Sequence, residues 1–99
     1  MIIFVRTASV SAGKMGEALA FANEISAYMK KHYGVEPGVM LPVGGNPNRI
    51  AWRAEYEGLG QLDQIMGKTM ADSDYRAMIT KNAHLFIEGS VEDAIWHKL

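Results

Sequence analysis

Histidine is the residue type in this chain that most readily ligates a metal or moves a proton near neutral pH. His32, His84 and His97 are its three copies, and no two of them stand at a metal-ligand spacing. His84 lies near the end of a predicted helical stretch, where a neutral imidazole could ligate haem iron or shuttle a proton. The alternative is a capping or partly exposed histidine, which the helix dipole favours near a C-terminus.

Other segments that could hold a cation or a phosphate do not complete a motif. Asp72 and Asp74 stand like the start of a calcium loop, but Ala77 occupies its sixth position and Ala83 its twelfth. The Gly-Lys pair at 13–14 lacks the upstream glycine and the following serine or threonine of a P-loop. Neither a Gly-x-Ser-x-Gly elbow nor a Gly-x-Gly-x-x-Gly turn occurs. These patterns exclude calcium-loop, P-loop and serine-hydrolase chemistry.

Arg53 and Glu55 form the most prominent pair of opposite charges in a predicted strand. They alternate with Trp52, so they turn to the opposite face of the sheet from it. We expect them to pair with each other or across a dimer interface, because charges at an interface need partners. An anion site built on Arg53 and Arg6 is the alternative.

The elements that must position these residues follow from periodicity and turn signals. Strands are predicted at residues 2–7, 35–43, 49–57 and 91–99, and helices at 14–33, 59–70 and 74–85. Gly34 should end the first helix in a left-handed conformation, and Asp72 or Ser73 should cap the third. The second helix should bury Leu62, Ile65, Met66 and Met70. The order is βαββαβ, an α+β ferredoxin-like fold in a single domain spanning residues 1–99.

Composition limits the partners and the compartment. Ten basic and eleven acidic residues leave a net charge of -1, which argues against nucleic acid. The apolar run at residues 2–5 is too short for a membrane span, and it has no basic region before it. A chain without cysteine has no disulfide, thiolate or iron–sulfur chemistry, and it fits a reducing, cytoplasmic location.

The predicted sheet also has more apolar surface than its helices can cover. Two helical units cover one face, yet the first and last strands carry adjacent apolar residues that point to both faces. Leaving several hundred Å² of apolar sheet wet would cost on the order of 10 kcal/mol, as much as a whole domain's net stability. We therefore expect a homodimer in which two sheets pack face to face.

Three stretches of sequence carry a resemblance to a known superfamily. Ser-Ala-Gly-Lys at 11–14 opens a long helix that closes at Tyr33 and Gly34, and Ala-Asp-Ser-Asp-Tyr-Arg at 71–76 lies between helical stretches. Leu-Phe-Ile-Glu-Gly-Ser at 85–90 precedes Asp93 and Ile-Trp at 95–96. In these features the chain resembles the dimeric α/β-barrel superfamily, and within it small bacterial NIPSNAP-like proteins.

The resemblance implies where a ligand would lie. In the monooxygenases of this superfamily the ligand sits between sheet and helices, and haem-degrading relatives place a tryptophan of the third strand against it. Trp52 matches that position; the alternative is that it is simply the largest residue of a core face. The iron-ligating histidine of those relatives falls about one helix earlier than His84, where Leu59 and Gln61 stand here. This departure weakens haem ligation.

Three functions follow as hypotheses. The first is a homodimeric ligand-binding or interaction module of NIPSNAP-like type, with no bound cofactor or metal. The second is a cofactor-independent monooxygenase or isomerase acting on a flat aromatic or polyketide-like molecule. The third is haem binding. The pocket candidates are Trp52, Tyr28, Tyr75 and His84, and no catalytic residue is predicted.

Overall fold

A computed structural model describes residues 1–99. Its elements, in chain order, are β1 (Ile2–Ser9), α1 (Met15–Tyr33), β2 (Gly38–Met40), β3 (Arg49–Tyr56), α2 (Leu59–Ala71), α3 (Ser73–Asn82) and β4 (Glu92–His97), with a 3-10 turn at Ala83–Leu85. The strands form one antiparallel sheet in the order β2-β3-β1-β4. The predicted α+β ferredoxin-like βαββαβ fold is confirmed, with α2 and α3 as a broken second helical unit.

The strand register sorts the side chains onto two faces of the sheet. Cross-strand partners share a face, so Trp52 of β3, Arg6 of β1 and Asp93 of β4 form one row across three strands. Residues two positions along each strand share this face, and Ile50 and Ala54 on it are buried. We call it the helix-facing side, and we call the other side the open face.

Local signals place the helix ends where the pattern predicted them. Gly34 has φ 71°, and its N–H donates to the carbonyl of Lys30 as α1 ends. Asp72 accepts hydrogen bonds from the backbone N–H groups of Asp74 and Tyr75, so it caps α3. Both devices act within four residues, which is why the sequence alone reveals them.

The core lies between the helices and the helix-facing side. One buried cluster joins α1 to β3 and the 3-10 turn, and its members are Val10, Ala18, Phe21, Ala22, Ile25, Ile50 and Leu85. A second cluster joins α2 to the far end of the sheet, and its members are Ile2, Val35, Ala54, Tyr56, Leu62 and Ile65.

The buried face of α2 differs from the expected one. Leu62, Ile65 and Thr69 are buried, whereas Met70 is 74% exposed. Thr69 fits inside because its hydroxyl donates to the carbonyl of Met66 at 2.9 Å. Met70 follows Thr69 by one residue, about 100° around the helix, and so it points away from the core.

The edge strand β4 is the most exposed strand of the sheet. All six residues of β4 are exposed, including Ile95 at 51% and Trp96 at 64%. Ile3 lies opposite Trp96 on the open face, where neither helical unit packs. In addition, no helix of the chain has the length and apolar character needed to cross a membrane.

Candidate functional site

A cavity of about 130 Å³ lies between the helix-facing side and the helices, and 12 of its 15 lining residues are hydrophobic. Phe4 and Arg6 of β1 and Trp52, Ala54 and Tyr56 of β3 form its floor. The walls come from α1, α2 and α3. A predominantly apolar cavity with a few polar groups is the usual composition of a small-molecule site.

The cavity depends on a small residue of β3, Ala54, which lies between two large aromatic residues of the same strand. Alternation along β3 places Trp52, Ala54 and Tyr56 on the same face, and Ala54 alone has no side chain beyond Cβ. Above it, Phe21 and Ile25 of α1 recur every four residues and form a ridge over the sheet. The short side chain of Ala54 therefore leaves space between the sheet and the helices, and Ala54 lines the cavity there.

Arg6 brings a charged group into this apolar surface. Its Nε and Nη2 donate to the two carboxylate oxygens of Asp93 at 2.7 and 2.9 Å. Both side chains are a little over one-third exposed. The hydrogen bond to Asp93 raises the pKa of Arg6 above its ordinary value. The guanidinium also lies 5.5 Å from the ring centroid of Phe4, within cation–π range.

Trp52 carries the one buried side-chain polar atom without a hydrogen-bond partner in the chain, its Nε1. The indole packs against Phe86, with ring centroids 6.0 Å apart. Leaving a buried donor unsatisfied costs roughly 1–3 kcal/mol, so such a group needs an explanation. Trp52 lines the cavity with other atoms of its side chain, because its Nε1 is itself inaccessible.

Tyr56 and Tyr75 add two phenol groups to the lining. Burial raises the pKa of both hydroxyls above the ordinary value, although the charge of Arg6 opposes that shift. Both phenols are therefore neutral at physiological pH. They can each donate one hydrogen bond.

Tyr28 does not line the cavity. Its hydroxyl donates to Asp72 at 2.8 Å, and its ring stacks on His32 with centroids 4.1 Å apart. Tyr33 donates to the same carboxylate oxygen. Hydrogen bonds from Tyr33 and Tyr28 lower the pKa of Asp72 to about 2, and the bonds to Asp72 raise the pKa of both tyrosines to about 12. This cluster joins α1 to the connection between α2 and α3.

His84 also lies outside the cavity. It is exposed in the 3-10 turn, where its carbonyl accepts a hydrogen bond from the hydroxyl of Ser11 at 3.3 Å. None of the three histidines lines the cavity. The cavity therefore does not offer haem iron the axial histidine that the hypothesis needs, and its lining does not fit that group.

Arg53 and Glu55 lie on the open face. They bond to each other at 2.9 Å, and Lys98 adds a second contact to Glu55 at 3.3 Å. The Arg53 bond is the main cause of the lowered pKa of Glu55. An anion site shared by Arg53 and Arg6 is wrong, because neighbouring register positions place the two side chains on opposite faces.

Arg6 and Asp93 are the site residues that sequence reasoning did not bring together. A charge in the middle of an apolar strand is the signal that marks Arg6. Asp93 stands 87 residues away, and only the pairing of β1 with β4 makes it a neighbour. Of the four pocket candidates, the structure brings Trp52 and Tyr75 to the cavity and leaves Tyr28 and His84 outside it.

Comparison with known proteins supports this fold. No protein-family model and no curated protein matches the chain. A NIPSNAP domain protein from Burkholderia xenovorans superposes with a TM-score of 0.85 at 18% identity, over 100% of this chain and 95% of that one. A NIPSNAP family protein with unknown function from Agrobacterium tumefaciens gives 0.78 at 22% identity, over 97% and 86%.

A third structure extends the likeness toward oxygenases. A candidate antibiotic biosynthesis monooxygenase from Deinococcus radiodurans has a TM-score of 0.72 at 17% identity, over 99% of this chain and 92% of that one. At such identities the similarity shows a shared fold, and function must be argued from the site. The predicted resemblance to NIPSNAP-like and monooxygenase-like proteins is confirmed at the level of the fold.

Proposed function

We propose that this chain is a binding module of NIPSNAP-like type that takes a small apolar ligand into the cavity between sheet and helices. The observation that carries the proposal is the cavity of about 130 Å³ with 12 hydrophobic residues among the 15 that line it. An engineered cavity of about 150 Å³ binds benzene, so this volume suits a single aromatic ring. The polar lining groups then orient what the apolar walls hold.

The experiment is a titration of the protein with ethylbenzene, followed by ¹H–¹⁵N NMR. Binding in the cavity should shift resonances of Ala54 and Tyr75, which line it, and should leave exposed residues of α1 unchanged. No saturable shift up to the solubility limit of ethylbenzene would overturn the proposal. Shifts confined to the open face would also contradict it, because they would place the ligand elsewhere.

A cofactor-independent monooxygenase is the second candidate, and it is favoured by the aromatic side chains of Trp52 and Tyr75 in the lining of the cavity. Conversion of a phenol to a quinone consumes one O₂, placing one oxygen atom on the ring and releasing the other as water. The phenol supplies all four electrons, so no added reductant is needed. Oxygen uptake with phenol at steady turnover, lost in Ala54→Leu, would support an enzyme over a binding module.

We further propose that the partner of this chain is a second copy. The open face combines apolar residues such as Ile3 and Trp96 with both signs of charge, at Arg53 and Glu55. In a two-fold pairing each patch meets its own copy, so Arg53 of one protomer can approach Glu55 of the other. Light scattering should then give twice the chain mass of 10.9 kDa.

A further inference from the structure

The segment that carries α3 covers the cavity without burying any residue of its own. Residues 70–84 are all exposed or half-buried, and the buried residues next to them are Thr69 at one end and Leu85 at the other. By contrast, α1 buries five residues and α2 buries three. Because burial of apolar surface is what holds a helix onto its domain, α3 is the least firmly held of the three helices.

One cluster of hydrogen bonds fastens this segment to α1. The carboxylate of Asp72 accepts from the hydroxyls of Tyr28 and Tyr33 of α1. It also caps α3, because it accepts from the backbone N–H groups of Asp74 and Tyr75. The hydrogen bonds between the segment and α1 therefore all run through Asp72. We call the two tyrosine–aspartate hydrogen bonds the latch.

The cavity reaches the surface beside α3. Tyr75 and Ile79 of α3 line it, and they stand four positions apart on one face of the helix. Met66 of α2 and Ile79 are the two most exposed lining residues, at 36% and 40%. The other lining residues are buried or half-buried. The way into the cavity therefore lies where α2 and α3 meet.

The other walls of the cavity are fixed in the core. The strand β1 lies in the middle of the sheet, between β3 and β4. The lining residues from β3, α1 and α2 include six that are buried, namely Ala54, Tyr56, Phe21, Ile25, Leu62 and Ile65. Only α3 lines the cavity while burying none of its own residues. A ligand enclosed on most sides needs a wall that moves to admit it, and α3 is the wall that can.

We propose that α3 is a lid on the cavity and that the latch holds it closed. When the latch opens, the segment moves away from α2, a ligand passes between Met66 and Ile79, and α3 then closes over it. This inference rests on the proposed binding function and adds how access to the site is controlled. Tyr28 and Tyr33 are positioning residues, because they act through Asp72 and not on the ligand.

Amide hydrogen exchange followed by NMR tests the lid without a substitution. Relative to their intrinsic rates, amides of α3 should exchange at least about tenfold faster than those of buried Ala22 and Ile25 in α1. Ethylbenzene at half-saturation should slow the α3 amides about twofold, because the bound molecule must leave before the lid can open. Amides of β4 should keep their rates, since that exposed strand lines no part of the cavity.

Weakening the latch should change rates and leave affinity alone. Tyr28→Phe keeps the ring and removes one hydrogen bond to the carboxylate of Asp72, an interaction worth about tenfold in an equilibrium constant. Ethylbenzene should then enter and leave about tenfold faster by NMR line-shape analysis. Its dissociation constant should stay within about twofold, because the lid is closed in the free and the bound protein alike. Ser90→Ala removes a hydroxyl that bonds the carbonyl of Ile87, away from α3 and the cavity, and should keep the native rates.

The outcomes separate the lid from the binding function. Ethylbenzene that binds without slowing the α3 amides would overturn the lid alone, and so would equal protection of α3 and α1. Native rates of entry and exit in Tyr28→Phe would refute the latch. If ethylbenzene does not bind to the native protein, the proposed function fails and the lid fails with it.

Discussion

Filling the cavity from its floor tests the proposed site most directly. Ala54→Leu adds three carbon atoms at a buried position that lines the cavity, between Trp52 and Tyr56. The added carbons enter space that is open in the native protein. Ligand and leucine side chain then compete for the same volume, so we expect binding to be lost while the fold is retained.

The magnitudes separate these two effects. Burying three carbons at about 0.8 kcal/mol each gives at most about 2.4 kcal/mol of stabilisation. Overpacking against the neighbouring rings costs roughly 1–3 kcal/mol and offsets most of this gain, so the free energy of unfolding should change by less than about 2 kcal/mol. Excluding a ring that buries about 150 Å² removes close to 4 kcal/mol of transfer free energy. Affinity for ethylbenzene should therefore fall more than about a hundredfold.

The assay pairs urea unfolding with the ethylbenzene titration on the same preparation. Ala20→Leu is the matched control, because it makes the same change at an exposed position of α1 that does not line the cavity. The control should bind ethylbenzene as the native protein does. Its stability should also stay within about 0.5 kcal/mol of native, as is usual for surface substitutions.

Two results would refute the reasoning. Native affinity in a folded Ala54→Leu variant would show that the ligand does not occupy this cavity. A loss of more than about 3 kcal/mol in the free energy of unfolding would show that the space above Ala54 cannot accept a side chain, which contradicts a cavity of about 130 Å³.

Three further predictions concern assembly, pH and the core. Trp96→Ala should raise the dimer dissociation constant at least about 30-fold, as loss of a tryptophan hot spot does, and sedimentation should detect it. Since the pKa of Asp72 is lowered to about 2, its stabilisation is present above its unfolded pKa of about 4 and is lost as pH falls toward 2; Asp72→Asn should flatten the melting temperature across that range. The hydrogen bonds to Asp72 raise the pKa of Tyr28 and Tyr33 to about 12, so the stabilisation that these two tyrosines contribute should be lost as pH rises from 10 to 12. Leu85→Ala, at a position 2% exposed, should cost about 3 kcal/mol in urea unfolding.

Local signals explain why most of the fold could be predicted. Alternation along β3 placed Trp52 and Arg53 on opposite faces of the sheet. The turn formers at Gly34 and Asp72 located two helix ends. Each of these signals acts within a few residues of the chain. The shift of the buried face of α2 onto Thr69 was missed, because a hydroxyl that bonds its own helix backbone looks polar in sequence.

Half of the pocket prediction needed distances between elements. Tyr28 is as amphipathic as Tyr75, but it bonds to Asp72, 44 residues away, whereas Tyr75 lines the cavity. His84 belongs to a 3-10 turn that follows α3 rather than to the helix itself, and this turn leaves it exposed. Residue type and helical spacing therefore do not distinguish a side chain that lines the cavity from one that lies outside it.

Sequence by itself determined the order of strands and helices, the placement of Trp52 and Arg53 on opposite faces of the sheet, and the motifs that this chain does not complete. Only the tertiary structure decided that Trp52 stands beside Arg6, that Asp93 neutralises that charge, and that a cavity remains above Ala54. The physical reason is the distance along the chain over which each signal acts. Periodicity and capping depend on neighbours along the chain, whereas a cavity and its donors depend on how closely separate elements approach.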